Sequence, residues 1–171
     1  MPMTNPLGRL YDIAEAFIPV DMQTAANNGD WVAVRNAMGI SALFFAAVGT
    51  NGDDPSVTFK QALTNAGGSS KAITPTSIHK KQAATNTQTT TTWTDASSEV
   101  TAGVWLNTDA AEQVEIVHAY FDASAFDVAN GFKWFQVSVP DIGGNAQLGC
   151  ALYIMVPAYP SKPTQNITYL T

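Results

Sequence analysis

The two imidazoles and the single thiol of this sequence, which suit a proton carrier or a nucleophile near neutral pH, belong to His79, His118 and Cys150. A nucleophile needs a base within hydrogen-bonding reach and a third group that orients the base. The sequence does not predict that these side chains lie within hydrogen-bonding distance of one another. Cys150 lies in an apolar run, His79 lies beside lysines, and His118 lies in a segment of alternating residues. The sequence also lacks a nucleophile-elbow motif. We therefore predict that the chain is not an enzyme and has no catalytic residues.

The turn at residues 49–55 carries oxygen ligands of the kind that Ca²⁺ prefers, in Asn51, Asp53 and Asp54. Their spacing fits no EF-hand loop, since the central glycine and the downstream glutamate are missing from their positions. Asp and Asn beside Gly also form ordinary turns. The glycines at residues 67–68 match no phosphate-binding motif. We predict a turn without a metal ion, and no cofactor.

Trp93 could stack against a sugar, because it lies inside a polar, threonine-rich stretch at residues 82–94. This stretch is uncharged and predicts a loop or an edge strand with Trp93 exposed. The remaining tryptophans, Trp31, Trp105 and Trp134, lie in strand-like patterns and are predicted to belong to the core. A carbohydrate-binding surface built on Trp93 and the threonines is therefore an alternative function.

The composition indicates a protein that packs against neighbours. Hydrophobic residues make up 46% of the 171 residues and charged residues only 13%, about half the usual share. The net charge of −6 and pI near 4.6 argue against direct nucleic-acid binding, which needs a basic face. The pair Lys80 and Lys81 is too small an exception to change this prediction.

The single cysteine excludes an intrachain disulfide and agrees with synthesis in a reducing cytoplasm. Residues 1–6 lack the basic and apolar regions of a signal peptide. The apolar run at residues 40–48 is too short to span a bilayer. We expect a soluble protein without a membrane partner.

Short strand-like segments recur about every ten residues, separated by Gly, Pro and Asn, which predicts an all-β sandwich or barrel. Residues 11–18 have a weak helical spacing ended by Pro19, although a strand is also possible. Residues 100–106 predict one strand. Residues 113–120 alternate, with Val114, Ile116 and His118 on one face and Glu115, Val117 and Ala119 on the other.

Residues 131–160 predict a hairpin, in which two strands joined by a turn at residues 141–145 pair with each other. The first strand, residues 135–139, is aromatic and β-branched, as suits a pleated surface. The second, residues 151–156, is almost wholly apolar and predicts a strand covered on both faces. We interpret the whole segment as scaffold without chemistry.

The predicted organisation is a single-domain antiparallel β-sandwich, jelly-roll-like, over residues 11–156. Residues 1–10 predict an extended N-terminal arm. Residues 157–171 predict an extended C-terminal tail, whose residues 167–170 could add a strand to a neighbouring sheet edge.

Parts of the chain resemble small structural proteins of tailed-bacteriophage heads. The resemblance rests on the turn at residues 49–55, the strand at 57–62, Lys71 and Ala72, and residues 145–149 leading to Tyr153 and Ile154. It spans about residues 30–160. The resemblance implies a head decoration (cement) protein, which forms oligomers on the outside of the capsid and bridges its subunits. It assigns a role to no individual residue.

We therefore expect a non-enzymatic virion structural protein that is made in the host cytoplasm and decorates the capsid exterior. Its expected partners are copies of itself, as a dimer or trimer, and the major capsid protein. A neck or tail-completion protein, and a carbohydrate-binding module of a receptor-binding or tail component, are the alternatives.

Overall fold

The computed structural model describes residues 10–90, 92–109 and 113–158. Strands dominate this part of the chain, and none of it is α-helical. The strands are β1 (Asp12–Asp21), β2 (Asn27–Asn28), β3 (Val32–Ala33), β4 (Ala37–Ala46), β5 (Ser56–Ala62), β6 (Lys71–Ala72), β7 (Ser77–Ala83), β8 (Thr94–Asp95), β9 (Val100–Thr101), β10 (Val104–Leu106), β11 (Val114–Asp122), β12 (Trp134–Val139) and β13 (Leu148–Pro157). Short 3₁₀ helices lie between them at Thr87–Thr89, Ser97–Glu99, Ala123–Ala125 and Val128–Asn130.

The strands form two packed antiparallel sheets, which confirms the predicted β-sandwich. One sheet has the order β1-β13-β4-β11-β7-β8, and the other has the order β2-β12-β5-β10-β9. If β7, β8 and β9 are set aside as additions at the sheet edges, the remaining orders β1-β13-β4-β11 and β2-β12-β5-β10 are those of the two four-stranded sheets of a jelly roll. The predicted jelly-roll-like architecture is therefore confirmed.

The core lies between the two sheets and is rich in aromatic side chains. Phe121 is central, with its ring centroid 4.7 Å from that of Phe135 and 5.1 Å from that of Phe59. Trp105 is fully buried against Phe44, as the sequence predicts for this tryptophan. Large aromatic rings at alternate positions of facing strands explain how short strands hold two sheets together.

Tyr153 connects the two sheets through its hydroxyl group. This group accepts a hydrogen bond from Val137 N at 3.0 Å and donates one to Asp30 O at 2.9 Å. The side chain is fully buried, and burial raises the pKa of its phenol. The hydroxyl therefore satisfies two backbone groups that water does not reach.

Tyr153→Phe is expected to lower the free energy of unfolding by about 2 kcal/mol, because it leaves these two backbone groups without a partner. Tyr11→Phe, at an exposed position, is the matched control and is expected to change stability by less than about 0.5 kcal/mol. Chemical denaturation of both variants measures the difference. Equal stability of the two variants would show that the Tyr153 hydroxyl does not stabilise the fold.

The predicted pairing of the last two strands is wrong. β12 pairs with β5 in one sheet, whereas β13 pairs with β4 in the other. The connection crosses between the sheets because Asp53 holds it: its Oδ2 accepts hydrogen bonds from Gly144 N, Asn145 N and Asn145 Nδ2 at 2.8–3.2 Å. A contact distant in sequence decides the direction of this turn.

The prediction that the second of these strands is the one covered on both faces is also wrong. β12 is buried at every position, because Trp31 packs on Trp134 and Gln136 Nε2 donates to Gly29 O at 2.7 Å. In β13, by contrast, buried and partly exposed residues alternate. One apolar side of β13 is therefore left uncovered.

The first segment is a strand, which was the second of the two predicted possibilities. β1 continues past Pro19 to Asp21 and pairs with β13 alone, at the edge of its sheet. Its register shifts between Glu15 and Phe17 and again between Phe17 and Val20. Proline is tolerated at an irregular edge because its missing N–H breaks no ladder bond there.

Residues 100–106 form a tight hairpin instead of one strand. β9 pairs with β10, with Val104 opposite Thr101. The reversal uses Ala102 and Gly103, whose φ angles are 50° and 77°, as a two-residue primed turn requires.

Of the predicted arms, residues 1–9 and 159–171 lie outside the described residues. The domain boundaries predicted at residues 10 and 157 remain predictions. β13 extends to Pro157, and Ala158 N still donates to Asn36 O at 2.9 Å.

Candidate assembly surface

The outward side of the six-stranded sheet, here called the outer face, is mostly apolar and uncovered. Strand alternation buries Ala42, Phe44 and Val117 in the core, so the residues between them point outward. The charged members of the outer face are Glu15, Lys81, Asp95 and Asp122. The outer face consists of Ile13, Glu15, Ser41, Leu43, Phe45, His79, Lys81, Asp95, Ile116, His118, Tyr120, Asp122, Cys150, Leu152 and Ile154.

The central strands of this sheet are apolar on both sides, and this explains the outer face. β4 and β13 carry hydrophobic residues at inward and outward positions alike, the pattern of strands covered on both faces. Residues 10–90, 92–109 and 113–158 cover only their inward side. Ile13 is 46% exposed and Phe45 is 39% exposed, so large hydrophobic side chains face solvent.

A hollow within this surface, here called the outer-face depression, has a volume of about 510 Å³. It exists because the central strand β4 has small residues, Gly39 and Ser41, where its neighbours have large ones. Tyr120 lies directly over Gly39, since a Cβ there would be only 2.5 Å from the Tyr120 hydroxyl. The residues that line the depression are Tyr11, Ile13, Ser41, His118, Tyr120, Ile154 and Val156.

His118 is in the depression and contacts a serine. Its Nε2 lies 2.9 Å from Ser41 Oγ, which resembles half of a catalytic triad. A triad places a carboxylate behind the imidazole, and that carboxylate would raise the pKa. Here burial lowers the pKa of His118, and the cross-strand neighbour His79 lowers it further. His118 is therefore a neutral, hydrogen-bonded residue and a weak base.

The other candidates with catalytic chemistry are not brought together into a site. Cys150 is on the outer face opposite Phe45, and burial raises the pKa of its thiol, which disfavours the reactive thiolate. His79 pairs with His118 and with Asp95. Cys150 and His79 are therefore members of the outer face.

Trp93 is 44% exposed, as its position in the threonine-rich stretch predicts. Its ring centroid lies 6.2 Å from that of His118, and the ammonium of Lys81 lies 5.1 Å from it. Trp93 therefore borders the outer face and has its ring in contact with two members of that face.

In the acidic turn, Asp53 has a structural role, because its three hydrogen bonds hold the connection between β12 and β13. The side-chain hydrogen bond from Asn145 is the main reason that the pKa of Asp53 is lowered, with backbone bonds adding to it. Within residues 10–90, 92–109 and 113–158, His, Cys, Asp and Glu residues form no group able to hold a metal ion. The turn interpretation of Asn51, Asp53 and Asp54 is the one that this geometry favours.

A buried carboxyl group at Glu115 was missed by the sequence analysis. Its side chain is fully buried, Gln82 Nε2 donates to its Oε2 at 3.2 Å, and its Oε1 has no hydrogen-bond partner. Burial raises the pKa of Glu115 to about 8, while Lys80 and Gln82 oppose the rise. The alternation of Glu115 with Val117, Ala119 and Phe121 was the available signal, because it places the carboxyl group on the core face.

Lys80 and Glu99 form an ion pair near this group. The same Glu99 accepts a hydrogen bond from Trp105 Nε1 at 2.9 Å. Lys80 is therefore paired with a carboxylate within the fold. The absence of a basic nucleic-acid site remains a prediction.

Comparison with known proteins gives little further information. No family model matches the chain, and no curated protein matches it. Among solved structures, the chain is similar to the crystal structure of the SPBc2 prophage-derived protein YomS. The identity is 13%, the similarity covers 85% of this chain and 92% of that one, and the TM-score is 0.42. A likeness this distant assigns no function.

No helix in the described part of the chain has the length and apolar character needed to cross a bilayer.

Proposed function

We propose that this protein is a non-enzymatic structural subunit that assembles with copies of itself, as a dimer or trimer, through the outer face. The supporting observation is that β4 and β13 are apolar on both sides but covered on one. Exposed apolar surface of this extent marks an interaction site in a folded protein. A second copy of the same face has the same apolar centre on β4 and β13 and matches it in character.

The size of the outer face fits a stable interface. Its three ten-residue strands are about 33 Å long, and its six strands together are about 24 Å wide. The face thus offers roughly 800 Å², which is the area that each partner buries in a standard interface.

The second sheet is the contrasting case. Trp31 and the segment around Gly29 pack on the outward side of β12, so part of that surface is already occupied within the chain. This asymmetry between the two sheets supports the six-stranded sheet as the assembling one.

The biological setting that we propose is a tailed-phage particle, with the protein decorating the capsid exterior and bridging the major capsid protein. The sequence resemblance to head proteins and the low content of charge support this setting. A position in the neck or tail is the alternative within the same class, because an uncharged β-sandwich suits both.

Particles with and without the protein test this setting. We expect hundreds of copies per particle, and particles that lack the protein should lose DNA at lower temperature or under osmotic shock. Six or twelve copies would indicate a neck or tail position. Absence of the protein from purified particles would contradict the virion proposal.

Carbohydrate binding remains the second candidate, because Trp93 is exposed beside Lys81. Glycan-array binding that is lost in Trp93→Ala would favour it over assembly. Because Trp93 borders the outer face, the same side chain could instead belong to the interface between subunits.

A further inference from the structure

The outer-face depression lies beside the point where the described chain ends. Val156 lines it, and β13 ends at the following residue, Pro157. Ala158 N donates to Asn36 O at 2.9 Å, so the chain continues along β4 away from Ser41. The described chain therefore ends next to the depression, with Ala158 beside Asn36 and not beside Ser41.

The sequence of residues 159–171 suits an apolar hollow on a neighbouring subunit. Ile167 and Tyr169 alternate, so an extended segment presents both on one side. Pro160 and Pro163 favour extended backbone before them. Fully extended, this segment spans about 40 Å, which is long enough to reach a depression on another copy.

The depression also has the polarity that such a segment needs. Ile13, Ile154 and Val156 supply apolar walls, and the Ser41 hydroxyl is engaged with His118. Since burial keeps the pKa of His118 low, its ring is uncharged at neutral pH. The hollow therefore accepts uncharged side chains without leaving a buried charge unpaired.

We propose that residues 159–171 of one copy bind in the outer-face depression of a neighbouring copy, with Ile167 and Tyr169 seated over Ser41. This inference rests on the proposed function, because packing through the outer face brings the two depressions near each other. Each tail would then add contacts to an interface that already holds the subunits together, and tethering makes such contacts effective even when each is weak.

Disulfide trapping in the full-length chain tests this arrangement. In a Cys150→Ser background, subunits with Tyr11→Cys are mixed with subunits carrying Tyr169→Cys and oxidised with glutathione disulfide. Tyr11 lines the depression and is 44% exposed. Leu106→Cys is the matched control, since Leu106 is 45% exposed but lies on the other sheet.

We expect the disulfide between subunits to form about tenfold more readily at position 11 than at position 106, because docking raises the effective concentration. Equal trapping at both positions would overturn the inference. A chain that carries both Tyr11→Cys and Tyr169→Cys and closes within itself would also overturn it. If the protein still sediments as an oligomer, either of these results contradicts tail docking but not assembly through the outer face. A protein that sediments as a monomer would contradict both proposals.

Discussion

Phe45→Glu is expected to separate the subunits, with a dissociation constant at least about a hundredfold higher than that of the wild type, equivalent to about 3 kcal/mol. Phe45 is in the central strand of the outer face and is 39% exposed. A carboxylate at this position would have to be desolvated against an apolar partner surface, which costs several kcal/mol. Analytical ultracentrifugation over a range of concentrations measures the change.

Leu106→Glu is the matched control, because it makes the same kind of change at a residue that is 45% exposed on the other sheet. We expect it to sediment as the wild type does. Both variants should keep the wild-type circular dichroism, since neither side chain belongs to the core. If the two variants dissociate equally, or if Phe45→Glu does not dissociate, the outer face is not the interface.

Glu115→Gln is expected to stabilise the protein at pH 8 and to change its stability little at pH 5. Burial raises the pKa of Glu115 to about 8 in the folded protein, above the ordinary value of 4.5. The folded state therefore retains a proton that the unfolded chain loses as the pH rises above 4.5. Stability is fully present below pH 4.5, falls between pH 4.5 and 8, and levels off above pH 8, with a total loss of roughly 5 kcal/mol.

The charged groups around Glu115 set this behaviour. Lys80 and the hydrogen bond from Gln82 favour the carboxylate, whereas Glu99 and Asp54 disfavour it. Glutamine keeps an oxygen for the Gln82 amide but has no proton to lose. The gain at pH 8 is therefore expected to be about 3 kcal/mol, measured as the free energy of unfolding in urea.

Two choices make the measurement specific to Glu115. Both proteins carry Phe45→Glu, so that subunit dissociation does not contribute to unfolding. Glu15→Gln removes the same charge from an exposed position on the outer face and is expected to keep the wild-type difference between pH 5 and pH 8. Equal stability at the two pH values in the Phe45→Glu protein that keeps Glu115 would contradict a buried, proton-retaining carboxyl group.

Local signals in the sequence were enough to predict the fold class. These signals are the alternation in β11, the glycine-rich turn before β5 and the short spacing of the segments. Each of them depends only on residues that are close together in the sequence. The pairing of β12 with β5, in contrast, joins residues more than 70 positions apart, and the connection that follows β12 is held by Asp53 contacting Gly144 and Asn145 across 91–92 positions. No local pattern encodes such a contact, so the predicted hairpin was wrong.

The candidate surface was predictable in part. The apolar run of β13 is plain in the sequence, and it predicts a strand that is covered on both sides. The described part of the chain covers only one side, and this could be learned only from the structure. The depression depends on the large neighbours of Gly39 and Ser41, which become neighbours only through sheet pairing.

Sedimentation equilibrium of the full-length wild-type protein tests the central claim most directly, because assembly through the outer face requires that the isolated chain associates. The mass of one chain is 18.2 kDa. We predict the mass of a dimer or trimer at concentrations of about 10 μM, a range in which an interface of this size holds. A mass of 18.2 kDa that persists at concentrations above about 100 μM would contradict the account.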